Sequence, residues 1–134
     1  MSSFSVDLRL LDTSYLVCDM PLSQIRLSKN ALVPCVLIIP KTDKIEWFEL
    51  DETMQIALNR QINSISGFLK HLGADKINVA MIGNVVSQMH IHVVARNIDD
   101  YCWPEVIWGK EAFLSYDEEQ KEALIAQLQS FLNL

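Results

Sequence analysis

The chain has few of the residues that mark disulfide-rich or metal-binding proteins. Its 134 residues include three cysteines, three histidines, four glycines and four prolines. The cysteines, Cys18, Cys35 and Cys102, are odd in number and widely spaced, and no Cys-x-x-Cys pair occurs. We therefore expect reduced thiols, as in a cytoplasmic protein.

The sequence also lacks long apolar runs and an excess of positive charge. Its longest apolar stretch, from Val33 to Pro40, is interrupted by prolines and is too short for a membrane span. No basic region followed by an apolar core begins the chain, so no secretory signal is visible. A net charge of −6 argues against binding long DNA or RNA through phosphate neutralisation. A mononucleotide stays possible, because a few local donors suffice to hold its phosphate.

What is present is typical of a globular protein. Half the residues are hydrophobic and 21% are charged, and the length suits a single core. No repeat, low-complexity segment or domain boundary is evident. The sequence therefore predicts one domain over residues 1–134.

Apolar patterns predict several strands. Residues 4–14 allow a short helix or a strand, and the strand candidates are 15–18, 24–29, 35–39 and 76–82. The second and third candidates are five residues apart, which suits an antiparallel pair. Residues 35–39 are apolar throughout, which predicts a central strand covered on both faces.

Two amphipathic helices are predicted. Asp51 is a suitable N-cap for the first helix and Gly73 a suitable residue just after its end. Its apolar stripe consists of Met54, Leu58, Ile62, Ile65, Leu69 and Leu72. His71, in the last turn, is interpreted as structural or surface. Ser115 and Glu118 form a capping-box pattern for a second helix that runs to about Asn133, with Leu124, Leu128, Phe131 and Leu132 on its apolar side.

The most informative stretch, residues 88–96, alternates between apolar and other residues. Met89, Ile91, Val93 and Ala95 fall on one side, whereas Gln88, His90, His92, Val94 and Arg96 fall on the other. A period of two predicts a strand with one buried face. His90 and His92 should then stand side by side, about 6.5–7 Å apart at Cα, and point away from the apolar face.

Two histidines on one strand face favour a functional site, although single histidines are more often structural. A zinc site is the weaker functional interpretation, because zinc requires a third or fourth ligand and His71 lies in a separate helix. The segment 83–87, which begins with glycine, should connect two hairpin strands close to the histidines. Its backbone N–H groups could there meet an anion. Trp103 and Trp108 follow in a loop, where they could cover a site or simply pack on the domain's own surface.

Residues 83–94, Gly-Asn-Val-Val-Ser-Gln-Met-His-Ile-His-Val-Val, resemble the signature of the histidine triad family. That signature is His-x-His-x-His-x-x with apolar x, often preceded by Gly-Gln or Gly-Asn. The resemblance extends over about residues 8–96. The later Trp-Pro and Trp-Gly pairs resemble a bacterial branch described as diadenosine-polyphosphate-hydrolase-like. Gln88 occupies the position of the first triad histidine.

The resemblance implies a fold and a site. The fold would be α+β, with a five-stranded antiparallel sheet, two main helices and a sheet that extends across a homodimer. His90 would be the nucleophile, His92 would contact the scissile phosphate region, and Gln88 would complete the catalytic set. Asn84 and Asn30 would contact substrate, Asn30 through the ribose.

The implied chemistry is nucleotidyl transfer. His90 would attack the α-phosphate of a nucleoside phosphate ester, anhydride or phosphoramidate, and water would release the monophosphate. The other ring nitrogen of His90 should be held by an acceptor such as a backbone carbonyl. No metal or other cofactor is required. The alternative is a nucleotide-binding or regulatory module that kept the pocket but lost turnover, which the substitution at Gln88 would favour.

Overall fold

The computed structural model describes residues 3–132, in which five strands form a single sheet. Neighbouring strands are antiparallel throughout, in the order β1-β2-β3-β5-β4. The strands are β1 Ser14–Asp19, β2 Ser23–Ser28, β3 Cys35–Pro40, β4 Lys76–Ala80 and β5 Ile91–Arg96. The helices are α1 Leu8–Asp12, α2 Glu52–His71 and α3 Glu118–Leu132, with a short 3-10 turn at Trp47–Glu49. The predicted α+β architecture is thus confirmed.

The main core lies between one sheet face and the two long helices. Every residue of β3 is buried, which confirms its central position. From α2, Leu58, Ile65 and Leu69 are at most 1% exposed, and Leu128 of α3 is fully buried beside them. Burial of such side chains contributes roughly 1.5–3 kcal/mol each, so this face is the main source of stability. No helix within residues 3–132 is long and apolar enough to cross a membrane.

The predicted ends of α2 are confirmed. The Asp51 carboxylate accepts a hydrogen bond from the Met54 N–H at 2.8 Å, which satisfies one of the unpaired donors of the first turn. At the other end Gly73 has a φ of 110°, in the region where a side chain would be strained. His71 is exposed in the last turn, as predicted.

The predicted start of α3 is wrong. Asp117, rather than Ser115, accepts the Gln120 N–H, at 2.7 Å, and helix α3 begins at the next residue. Ser115 instead forms an isolated β-bridge with Asn30, which holds its backbone in an extended conformation. The predicted end at Asn133 lies outside the described residues.

Of the two alternatives for residues 4–14, the structure has the short helix. A single helical turn, α1, follows Asp7, whose carboxylate accepts the Arg9 N–H at 2.9 Å. Strand β4 is shorter than predicted. It ends at Ala80, which forms the last pair of the β4–β5 ladder, with His92.

The histidine strand is also shorter than predicted. Strand β5 begins at Ile91, where its pairing with β3 begins, so residues 88–90 precede the ladder. The apolar side is as predicted, because Met89, Ile91, Val93 and Ala95 are all at most 5% exposed. The opposite side is not uniformly polar or open, since a later segment of the chain packs on it.

Candidate functional site

The second face of the sheet carries a smaller apolar cluster. Val33, Cys35, Leu37 and Val94 form it, and Ile107 and Trp108 pack against it from the loop between β5 and α3. That loop, residues 97–117, is here called the covering segment. It covers Val94, which is fully buried although it lies on the face of β5 opposite the main core.

Arg96 anchors the covering segment to the end of β5. Its guanidinium is buried and donates to both carboxylate oxygens of Asp100, at 2.7 and 3.0 Å. It also donates to Asn78 Oδ1 at 3.0 Å and to the carbonyl of Glu105 at 2.8 Å. The Trp103 ring lies 5.5 Å from the guanidinium carbon. Arg96 and Trp103 are therefore structural residues.

His90 has a fixed ring orientation. Its Nδ1 lies 2.7 Å from the carbonyl oxygen of Gln88, and since a carbonyl only accepts, Nδ1 carries the proton. This is the predicted type of contact. The ring is 8% exposed, so it is less open than the strand pattern suggested. Gly83 and Ser87 of the preceding connection line the same cavity of about 190 Å³ as His90.

His92 faces a larger cavity of about 620 Å³. Its ring centroid is 4.9 Å from that of His90 and 5.3 Å from that of Trp108, both in edge-on arrangements. Its Nδ1 lies 3.9 Å from the Cys35 sulfur. The other residues that line this cavity include Thr13, Ser28, Asn30, Val85, Tyr101 and Lys110. The structure thus brings both histidines together and places Trp108, but not Trp103, beside them.

Burial determines the charge states around His92. Burial, together with a smaller effect of the neighbouring His90, lowers the pKa of His92 to about 4. Burial also raises the pKa of the Cys35 thiol to about 12. At neutral pH the site therefore contains a neutral imidazole beside a protonated thiol.

Gln88 lies two residues before His90, and both the oxygen and the nitrogen of its side-chain amide form hydrogen bonds. Its Nε2 donates to the carbonyl of Ser5, and its Oε1 accepts the Asp7 N–H, both at 2.8 Å. The side chain is half-buried and lines cavities near the N-terminus rather than the larger cavity beside His92. Its partners lie more than eighty positions away in sequence, so no local pattern could have identified them.

The two asparagines are in different situations. Asn30 lines the larger cavity, but its Oδ1 accepts the N–H groups of Leu32 and Leu114 at 3.1 and 3.2 Å. Its Nδ2 donates to the Ala112 carbonyl at 3.0 Å, so its amide holds the covering segment. Asn84 is exposed in the connection and lines neither cavity beside the histidines.

Sequence reasoning missed the contribution of Cys35 and of the N-terminal residues. The sequence indicates for Cys35 only a reduced thiol in an apolar strand, because its contact with His92 spans 57 positions. Pairing of β3 with β5 creates that contact, with Leu37 opposite His92. Within residues 3–132, no group of three or more histidine, cysteine or acidic residues is arranged to hold a metal ion.

Comparison with known proteins agrees with this fold. The HIT domain family model matches residues 12–98. A histidine triad protein from Bradyrhizobium japonicum is 34% identical to this chain, with a TM-score of 0.92. The alignment covers 96% of this chain and 98% of that protein. Histidine triad proteins from Sinorhizobium meliloti and Marinobacter aquaeolei are 32% and 31% identical, with TM-scores of 0.90 and 0.92. Their alignments cover 96% of both chains and 98% of both chains, respectively. No curated protein matches this chain. Because the family model spans more than half of the sequence and a relative above 30% identity aligns over nearly all of it, the chain belongs to the histidine triad (HIT) family.

Proposed function

We propose that this protein is a nucleotidyl hydrolase or transferase in which His90 is the nucleophile. Proteins with HIT domains are typically nucleotide-binding hydrolases or transferases. The observation that carries the proposal is the 2.7 Å hydrogen bond from His90 Nδ1 to the Gln88 carbonyl. With the proton on Nδ1, the lone pair lies on Nε2, which is the nitrogen available for attack.

The reaction would proceed in two displacements. His90 Nε2 attacks the α-phosphorus of a nucleoside phosphate ester, anhydride or phosphoramidate. As the phosphorus–nitrogen bond forms, the bond to the leaving group breaks and its electron pair departs with that group. Water or another acceptor then attacks phosphorus and loses its proton to solvent, while the phosphorus–nitrogen bond breaks and its electron pair returns to His90 Nε2. The Gln88 carbonyl would stabilise the positive ring of the nucleotidyl-histidine intermediate.

His92 would serve as a neutral hydrogen-bond donor to the phosphoryl oxygens. The Cys35 thiol is protonated at neutral pH and lies 3.9 Å from His92 Nδ1. If the thiol donates to Nδ1, the imidazole proton is placed on Nε2. The Nε2–H of His92 would then donate a hydrogen bond to a phosphoryl oxygen as negative charge develops there.

The larger cavity would hold the nucleoside. Its volume of about 620 Å³ lies in the range of small-molecule sites, and the Trp108 ring at its wall offers an aromatic edge or face to a base. Asn30 would reach the ribose through the amide N–H that it does not donate to Ala112. Asn84 and the backbone of the connection would meet the phosphate. We propose diadenosine polyphosphates as the preferred substrates, on the resemblance of the Trp-Pro and Trp-Gly pairs.

The alternative function is a nucleotide-binding or regulatory module without turnover. The observation in its favour is Gln88, whose amide hydrogen-bonds to the N-terminal residues and does not line the larger cavity beside His92. Both functions share the pocket and differ only in release of the monophosphate.

An assay with two substrates separates these functions. The protein, and a His71→Ala control at an exposed position remote from the site, would be mixed with a fluorogenic adenosine phosphoramidate and with diadenosine tetraphosphate. We expect both proteins to release AMP, and we expect this release to persist after exhaustive treatment with a chelator. Binding without AMP release would establish the module. Loss of turnover on chelation, with recovery on adding zinc, would instead show that the reaction depends on a metal.

We also propose that residues 1–134 act as one cytoplasmic domain that pairs with a second copy. Strand β4 is an edge of the sheet, and Val79 on it is 45% exposed. Met81 and Ile82, just beyond the strand, are 45% and 40% exposed. Edge strands with apolar side chains readily pair with other strands. Analytical ultracentrifugation should give a dimer for the native protein and a monomer for Val79→Pro; a monomeric native protein would contradict the proposal.

A further inference from the structure

We infer that Gln88 and the backbone of the N-terminal arm, residues 3–7, form a positioning device for His90. The inference rests on the proposed function, because it concerns the same nucleophile. Gln88 is placed here as a positioning residue and not as a catalytic residue, since its amide contacts the arm and only its main chain contacts His90.

Gln88 joins the N-terminal arm to the His90 ring. The Gln88 side chain makes opposed hydrogen bonds of 2.8 Å to the Ser5 carbonyl and the Asp7 N–H. Its main-chain carbonyl accepts the His90 Nδ1–H at 2.7 Å. Both amide atoms are therefore used by partners of fixed polarity, one that can only accept and one that can only donate. The side-chain bonds tie Gln88 to the arm, and its main-chain carbonyl holds the His90 ring.

A second contact holds the backbone three residues before Gln88, at the Val85 carbonyl. Arg9, which follows the arm in α1, donates from Nη1 to the Val85 carbonyl at 3.1 Å. The Asp7 carboxylate fixes the Arg9 guanidinium, with bonds of 3.0 and 3.1 Å. The segment 85–88 lies outside the β-ladder, which begins at Ile91. The arm thus supplies the constraint that strand pairing does not.

The constraint matters because it selects the ring tautomer. If the Gln88 carbonyl moves away, His90 loses the acceptor for Nδ1–H, and the form with the proton on Nε2 becomes accessible. That form has no lone pair on the attacking nitrogen. We therefore expect a weakened arm to lower kcat and to leave KM nearly unchanged, because Gln88 does not line the larger cavity.

A matched pair of variants isolates one hydrogen bond of the device. Asp7→Pro and Asp7→Ala both remove the carboxylate and its bonds to Arg9, but only proline removes the N–H that Gln88 accepts. Asp7 has a φ of −53°, which proline adopts. Since Asp7→Pro loses this one further hydrogen bond, its kcat should be about threefold to tenfold below that of Asp7→Ala. KM should differ by less than about twofold.

A second variant and a second measurement complete the test. Gln88→Glu keeps the side-chain length and the acceptor but loses the donor to Ser5, so it should also lower kcat. The ¹⁵N NMR signals of the His90 ring report which nitrogen carries the proton, without any need for turnover. We expect the proton to reside on Nδ1 in the native protein and to distribute over both nitrogens in Asp7→Pro and Gln88→Glu.

The outcomes are distinct. An unchanged His90 tautomer in both variants, or equal kcat for the two Asp7 variants, would overturn the positioning role. A native protein that shows the Nδ1 tautomer but no AMP release would refute the proposed function, while the NMR comparison would still decide the inference. If Asp7→Pro fails to fold by circular dichroism, Gln88→Glu decides alone.

Discussion

Replacement of His90 by alanine should lower nucleotidyl transfer by at least about 10³-fold, since loss of a nucleophile removes the covalent step. The fold should persist. Although the ring is buried, it borders a cavity and the His92 ring and belongs to neither apolar cluster. We expect a loss of about 1 kcal/mol in the free energy of unfolding. Steady-state AMP release and urea denaturation of the same preparation measure both quantities.

Two matched variants sharpen this test. His90→Asn keeps a side-chain donor that can reach the Gln88 carbonyl, and should be as inactive as His90→Ala but closer to the native stability. His71→Ala removes a histidine from an exposed helix end and should change neither quantity. Retention of more than a tenth of native activity in His90→Ala would show that another group attacks phosphorus.

Acidification should weaken the fold through His92. The imidazole has a pKa of about 4 in the folded protein, against 6.5 when exposed, because burial disfavours its charged form. Between these two values the unfolded chain binds the proton more readily, so stability falls as the pH falls through this window. A shift of this size corresponds to about 2 kcal/mol lost between pH 7.5 and pH 4.5.

Urea denaturation at several pH values tests this expectation. His92→Asn removes the titrating group, so its stability should decrease less over the same range than that of the native protein. Asp7 and Asp100 have pKa values lowered to about 2 by their arginine partners, so they destabilise the fold only below about pH 4. Equal acid sensitivity in the native protein and in His92→Asn would contradict the burial argument. It would also remove the basis for a neutral His92 in the reaction.

The sequence predicted those parts of the fold that depend on neighbours within a few residues. The stripe along α2 as far as Leu69, its cap at Asp51 and its end at Gly73 follow from helical spacing and backbone preference. Leu72, the last predicted member of the stripe, is 47% exposed because the helix ends at His71. The buried strand β3 and the alternation through Ile91 and Val93 follow from periods of residue type. The motif around His90 and His92 was readable for the same reason, because its spacing is local.

Local patterns were insufficient where the hydrogen bonds or the burial of a residue depend on another segment of the chain. Ser115 and Glu118 match a capping box, yet Asp117 caps α3 because Ser115 is held in a β-bridge with Asn30. Alternation suggested a polar face for all of residues 88–96. Arg96 is instead buried, because Asp100 and the covering segment neutralise and cover it.

By itself, then, the sequence determined the five strands, the two long helices and the pair of neighbouring histidines. Only the tertiary structure decided that Trp108 rather than Trp103 lies beside His92, and that Cys35 contacts it. It alone placed the amide of Gln88 between Ser5 and Asp7. The physical reason is range: a period of two or 3.6 residues reflects one element's buried face. Contacts between residues of separate elements arise only when those elements are packed together.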